Sequence, residues 1–312
     1  MPTVLITGGH KGLGLEATRT IAARGGYDII MAGRNIGEVD AAAHDLRNRY
    51  GATIRTLTLD VASLASVRSG ADAVRSLVRE GSVAPLQVLL LNAGAQFRGP
   101  IEYSVDGHEL TFATNCLGHF LLLNLLQDLV HDGGRIVFTA SGTHDPDTMD
   151  GKMVGKAVEP DAYRLANDGR MGKPLSGGIR YSTSKLCTML HAYELDRRLR
   201  AAGSSIQSIA FDPGLIVETG LMRTAPSFAR GLMRTSGMKW MLRRMGVTMG
   251  SITFSGASLA KVAIDPAFAA ASGKYIQSKN GQLIEARSSV MSQDKGRAHK
   301  LWMDCEQIVG IG

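Results

Sequence analysis

The chain opens on a short apolar run, Thr3–Thr7, that passes straight into glycines and then into a helical pattern, and the unit repeats. Asp28–Ala32 reads as the next strand, followed by a helix to about Tyr50. Thr53–Leu59 and Ser63–Arg79 form a third strand and helix. Leu86–Leu91 is apolar at almost every position, as expected of a strand buried on both faces. Val105–Leu129 reads as helix and Arg135–Thr139 as strand. Such alternation predicts an α/β fold, a doubly wound parallel sheet with helices on both faces.

The rhythm breaks at Gly142–Gly178, a polar stretch rich in Gly, Asp and Pro without a clear period. Loops of this length are mostly functional or mobile. The pattern resumes with a helix over Tyr181–Leu199 and a strand over Ile206–Phe211. Leu215–Gly250, rich in Met and Arg, reads as a lid over a substrate site. A helix near Phe254–Ile264, a strand near Lys274–Gln277 and a helix near Asp294–Val309 close the chain. No linker or internal repeat beyond the βα unit divides the sequence, so residues 1–312 are expected to form a single domain.

Composition narrows the setting. Lys and Arg number 35 against 28 Asp and Glu, a moderate positive balance that suits an anionic ligand or surface. No basic block interleaved with aromatics is present, so nucleic acid is not an expected partner. The three cysteines, Cys116, Cys187 and Cys305, are far apart and lack metal-ligand spacing, so neither a metal nor a disulfide framework is expected. The N-terminus lacks the pattern of a signal peptide and no apolar run is long enough to span a bilayer, which reads as a reduced, cytoplasmic protein.

TGGHKGLG, Thr7–Gly14, follows a strand and opens a helix. That context makes it a dinucleotide fingerprint on a Rossmann-type sheet. The chain must turn sharply there and approach a pyrophosphate closely, and side chains at Gly8, Gly12 or Gly14 would obstruct one or the other. His10, Lys11 and Leu13 complete the turn. The residue that reads the adenine ribose is expected about 20 residues after the glycines, at the end of the second strand. Arg34 stands there, followed by Asn35, and Lys11 adds a second cation. Both can meet a 2′-phosphate, which favours NADPH over NADH; as solvated surface charges they would carry no such meaning. Asp60 and Val61 follow the third strand, where adenine would be held. Asn92, Ala93 and Gly94 follow the fourth, where small residues leave room for the cofactor.

Tyr181 and Lys185 lie four residues apart in YSTSK, on one face of the predicted helix. A nearby ammonium favours tyrosinate, which would adapt tyrosine to acid–base work. Taken together, these motifs resemble the short-chain dehydrogenase/reductase family over nearly the whole chain. The resemblance implies that Tyr181 exchanges a proton with the substrate oxygen, that Ser141 orients it, and that Lys185 holds the cofactor ribose. It implies that Asn115 holds a water on the proton path, and that Pro213, Gly214 and Thr219 flank the nicotinamide. The closer likeness is to the branch with retinol dehydrogenases and light-dependent protochlorophyllide reductases. It rests on LDVASLASVR, DGHELTFATNCLGHF, YSTSKLC, the C-terminal KLWMDCEQIVG and the 40-residue step from Ser141 to Tyr181. Protochlorophyllide reductases carry Cys directly after the Pro-Gly pair, where this chain has Leu215.

These features predict hydride transfer between NADPH and a carbonyl or alcohol. A protochlorophyllide-reductase-like C=C reductase and a non-catalytic NADP sensor are the alternatives. Met222, Met233, Met238, Met241, Met245 and Met249, with Phe228 and Trp240, suggest a bulky, mainly apolar substrate. Arg223, Arg230, Arg234, Lys239, Arg243 and Arg244 suit an acidic group, an anionic membrane surface or a solvated helix face. His144, close after Ser141, either lines the entrance or is merely exposed. A homo-oligomer is compatible with the family resemblance.

Overall fold

A computed structural model describes residues 1–170, 172–216 and 235–311. The expected alternation is present. β1 (Thr3–Thr7), α1 (Gly12–Arg24), β2 (Asp28–Gly33), α2 (Ile36–Tyr50), β3 (Ile54–Thr58), α3 (Leu64–Arg79) and β4 (Leu86–Leu91) follow in turn. After them α4 (Leu110–Phe112) passes through a π-helical turn, Ala113–Leu117, into α5 (Gly118–Leu126). Then come β5 (Val130–Thr139), α6 (Met149–Val154), α7 (Ala162–Ala166), α8 (Gly177–Ala201) and β6 (Gln207–Asp212). α9 (Ser236–Arg244), α10 (Ile252–Ile264), β7 (Tyr275–Lys279), β8 (Gln282–Glu285) and α11 (Lys295–Val309) complete the order.

The strands form one sheet in the order β3-β2-β1-β4-β5-β6-β7-β8. The pairings from β3 through β7 are parallel and β8 is antiparallel. The order reverses between β1 and β4, so a crevice opens at their carboxyl ends, where doubly wound sheets bind ligands. Alternate residues supply the two faces. Leu89 and Leu91 join α3, α5, α8 and α11 on one side. Val88 and Leu90 join α1, α2 and α10 on the other. Trp302 of α11 is fully buried, edge-on to Phe120 of α5 at a centroid distance of 4.9 Å.

Several expectations need correction. The helix expected from Val105 starts only at Leu110, where Glu109 caps it by accepting from the Thr111 and Phe112 N–H groups. α8 starts at Gly177, earlier than Tyr181, because Ser176 caps it by accepting from Ile179 N. Gly177 and Gly178 serve there as contact points: an added Cβ would lie 2.5 Å from Phe97 O and 1.8 Å from Val154 O respectively. The Gly142–Gly178 insert is partly helical, holding α6 and α7, each capped by the side chain of Thr148 or Asp161. β8 was absent from the sequence reading, although Asn280-Gly281, both at positive φ, is the tight-hairpin signal. At the base of the expected lid, Leu215 pairs with Met249; Thr219, Met222, Arg223, Phe228, Arg230, Met233 and Arg234 lie outside the described residues.

Candidate active site

The phosphate turn is built from what its glycines permit. Gly8 and Gly12 hold φ of 67° and 57°, the left-handed region that side chains rarely adopt. Gly14 is required by contact: an added Cβ would lie 2.2 Å from Gly8 O. In front of Gly12 a Cβ would meet nothing within 4 Å, so the turn opens on free space. Lys11, at the N-cap of α1, makes no side-chain cap bond, and the first turn of that helix carries no acidic residue. The leading N–H groups and the helix dipole are therefore available to an anion. These features fit a dinucleotide diphosphate.

Around the turn, Lys11 and Arg34 both crowd His10. Burial lowers the His10 pKa, Lys11 and Arg34 add to that effect, and Glu38 opposes it. Glu38 lies 3.7 Å from Lys11 Nζ and 3.5 Å from His10 Nε2. The Lys11 pair is exposed, so it binds Lys11 weakly. Asn35 caps α2 by accepting from Glu38 N. Asp60 lies two residues beyond β3 and accepts from Ala62 N at 3.0 Å; Val61 is buried, its carbonyl pressed against Gly118.

Asn92 and Ala93 are tied to the turn through Thr7. The Thr7 hydroxyl accepts from both their N–H groups, at 2.9 and 3.0 Å, while Asn92 Nδ2 donates to Thr7 O. Gly94 leads into the acid–base group: its added Cβ would lie 3.2 Å from Asn115 Oδ1 and 3.6 Å from Lys185 Nζ. Asn115 occupies the π-helical turn. Its Oδ1 accepts from Ala95 N, and its Nδ2 donates to Ala95 O and Ser184 Oγ, each at 2.9 Å. One side chain thus joins the loop after β4 to α8.

Tyr181 and Lys185 of α8 lie together, and Ser141 acts on Tyr181 from the turn after β5. Ser141 Oγ accepts from Thr143 N and Thr143 Oγ1, so its own proton is free to be donated. The Ser141 hydroxyl acts on the Tyr181 phenol and favours its ionised form. Lys185 Nζ donates to Thr139 O at 2.8 Å and lies 5.8 Å from the Tyr181 ring centroid. Burial pushes the Tyr181 phenol up to about 12, against the Ser141 hydrogen bond, with Asp212 acting upward and Arg98 downward. Burial draws the Lys185 ammonium down to about 8, opposed by Cys116 and Asp212. The expected lowering of the Tyr181 pKa is therefore not produced by the protein groups alone, because desolvation dominates.

Further buried residues surround this group. His144, expected to line the entrance or to be exposed, is buried. Its Nδ1 pairs with Ser141 O at 2.8 Å and its Nε2 accepts from Ser289 N at 3.2 Å, which fixes Ser141 to the C-terminal segment. Asp212, the last residue of β6, accepts from Gly214 N, Tyr275 Oη and Gln277 Nε2, each at 2.8 Å. Asp150 of α6 accepts from Thr248 N. Pro213 and Gly214 follow directly: Pro213 O accepts from Ser255 Oγ, and Gly214 holds φ of 70°. Among the described residues no cluster suits a metal ion, and no helix is long and apolar enough to cross a membrane.

A switch-point crevice, a glycine turn opening α1, and a Ser–Tyr–Lys group beyond it define a nucleotide-binding α/β oxidoreductase. Residues 2–148 match the family described as short chain dehydrogenase. The short-chain dehydrogenase TIC 32 B, chloroplastic, of Brassica napus is 33% identical over 308 residues, covering 96% of this chain and 86% of that protein. The chloroplastic protochlorophyllide reductase of Daucus carota is 32% identical over 328 residues, covering 99% and 78%. A crystal structure of an uncharacterised protein from Mycobacterium Paratuberculosis superposes with a TM-score of 0.73 at 27% identity, covering 99% of this chain and 94% of that one. The chain belongs to the short-chain dehydrogenase/reductase family and is an oxidoreductase.

Proposed function

We propose that this enzyme reduces a carbonyl of a bulky, mainly apolar substrate with NADPH, Tyr181 acting as the general acid. The observation that carries the reading is a buried tyrosine that keeps its proton, its hydroxyl beside Ser141 and an ammonium below its ring. The phenol is protonated at neutral pH and so has a proton to give in the reductive direction; pushed up to about 12 by burial it is a weaker acid than free tyrosine, so the Lys185 charge has to stabilise the tyrosinate for the transfer. NADPH, when bound, supplies the hydride. The α1 turn and Gly8, Gly12 and Gly14 hold its diphosphate, Asp60 and Val61 border its adenine, and Asn92, Ala93 and Gly94 leave it room. Lys11 and Arg34 favour a 2′-phosphate, Arg34 as a planar fork and Lys11 as a point charge.

The protein's own steps then follow. Ser141 donates its free hydrogen to the substrate oxygen and fixes it beside Tyr181. Tyr181 releases its proton to that oxygen as negative charge develops there. Lys185 has three donors and uses one on Thr139 O, leaving others for the ribose hydroxyls. Its charge stabilises the tyrosinate left behind. Asn115 fixes the loop of Ala95 against α8, so the Lys185 end of the site is held for proton return through water. Met238 and Met249, packed with Leu215 and Leu242, supply adaptable apolar surface at the lid base.

The test follows NADPH absorbance in the dark with aromatic, polycyclic and long-chain ketones and aldehydes. Tyr181→Phe is expected to lower kcat by about 10²–10⁴-fold while NADPH still binds. Unchanged dark turnover in that variant would remove tyrosine as the acid. Arg34→Ala is expected to lower the NADPH-over-NADH preference by about tenfold or more, the weight of a charge-assisted hydrogen bond. A second reading, light-driven C=C reduction, is favoured by the identity to protochlorophyllide reductases and opposed by Leu215 at the Cys position. Turnover confined to illuminated samples would select it.

A further inference from the structure

Behind Ser141 lies a second polar group that the proton-transfer steps do not use. Asp212 is 1% exposed at the end of β6, and the register Thr139↔Phe211 sets it alongside Ala140 and Ser141. Its carboxylate only accepts, from one N–H, one phenol and one amide, the role an ionised carboxylate fills. Gly142 separates it from the insert. A Cβ added there would lie 3.2 Å from Asp212 Oδ2 and 2.9 Å from Asp150 Oδ2, so two carboxyl groups share one glycine-sized gap.

We propose that Asp212 is a positioning residue that sets the charge on the Tyr181–Lys185 pair, and that the insert tunes it by bringing Asp150 against it. The proposal rests on the reading of Tyr181 and Lys185 as the reacting pair. From the π-helical turn Cys116 acts on Lys185 ahead of Asp212, from α5 His119 faces Lys185, and from the loop after β4 Arg98 opposes Asp212 at Tyr181. From α8, Tyr181 and Lys185 both sense Asp212. From the turn after β5, His144 senses it too, although burial holds that imidazole low and both ring nitrogens are engaged. From β7 come Tyr275, which donates to Asp212, and Lys279, whose charge reaches Asp150. Burial first, and Asp212 second, push the Asp150 carboxyl up to about 6, against the Thr248 hydrogen bonds and Lys279. Below that pH Asp150 is a neutral neighbour of Asp212; above it the gap holds two negative charges, and the field on Lys185 grows more negative.

The experiment titrates Lys185 directly, by NMR of the full-length protein carrying ¹³Cε-lysine, assigned with Lys185→Arg. It reads charge without turnover, so its outcome is separate from that of the ketone assay. In the native protein Lys185 is expected to titrate with a small second inflection near pH 6 from Asp150. Asp212→Asn is expected to lower the Lys185 midpoint by about half a pH unit or more, because it removes a stabilising anion. Asp212→Glu, which keeps the charge, is expected to restore most of it. Asp150→Asn is expected to erase the inflection and to lower the main midpoint, by less than Asp212→Asn does. A Lys185 midpoint unmoved in folded Asp212→Asn would overturn the role of Asp212. An inflection that persists in Asp150→Asn, or is missing from the native protein, would overturn the tuning. The Asp150→Asn arm stands even where Asp212→Asn fails to fold.

Discussion

Lys185 carries the site's sharpest conflict between stability and use. Its side chain is buried, and its ammonium is drawn from 10.5 to about 8. Between those values the unfolded chain binds more protons than the native one, so this group's contribution makes the fold more stable as pH rises from about 8 to 10.5. Below pH 8 the ammonium is retained against the cost of burial. Activity runs the other way: kcat/KM, which reports the free enzyme, is expected to fall as pH rises through about 8. Lys185→Arg, whose charge persists, should move that fall upward. Lys185→Met should be inactive yet at least as stable as the native chain at pH 7, as measured by urea denaturation. A marked loss of stability would mean that the Thr139 hydrogen bond outweighs desolvation. Asp150 has the opposite sign: raised from 3.8 to about 6, it favours the fold at low pH, and its contribution falls as pH rises through that interval.

At the scale of elements, the β1–α1 turn separates two demands on glycine. Gly12 has a positive φ and open space, so Gly12→Ala should cost about 1–2 kcal/mol in backbone strain and weaken cofactor binding by filling the cradle. Gly14→Ala would drive a methyl into Gly8 O, so α1 must shift. It should abolish NADPH binding in a fluorescence titration and lower the melting temperature more than Gly12→Ala does. The glycine turn and the Tyr-Lys pair were legible in the sequence because each places particular residue types at fixed spacing. β8 has a signal in Asn280-Gly281, but the strand has only four residues and is half-exposed, too short for an apolar alternation to stand out. The start of α8 was obscured because Gly177 and Gly178 are poor helix formers, and packing against Phe97 and Val154 overrides that preference. Asp212 and Asp150 were not legible. They are 62 residues apart, and only the parallel register of β5 with β6 and the fold of the insert bring them together.

Across the whole molecule, the last helix holds up the floor of the site. Trp302 of α11 packs edge-on against Phe120 of α5, and α11 lies along α8, which carries Tyr181 and Lys185. Trp302→Ala should cost about 3–5 kcal/mol, read as a lower denaturation midpoint in urea. Its effect on kcat at low temperature should be smaller than on stability, because α8 is also fixed through Asn115–Ser184 and Lys185–Thr139. A loss of kcat as large as the loss of stability would mean that α11 alone sets the position of α8.

The π-helical turn at Ala113–Leu117 makes chain length at this point a functional variable. An ordinary helix advances about 100° per residue. Deleting one residue inside the turn would let the helix close up regularly, and it would swing the Asn115 amide away from Ala95 and Ser184. On the far side Gly118, pressed against the Val61 carbonyl, fixes the helix on β3's exit loop and leaves it little room to slide back. Surface loops such as the one around Gly203, between α8 and β6, can gain or lose a residue and merely bulge. Here a single-codon deletion would spare every named side chain and still dismantle the arrangement between them, a lesion that a comparison of residue identities alone would overlook.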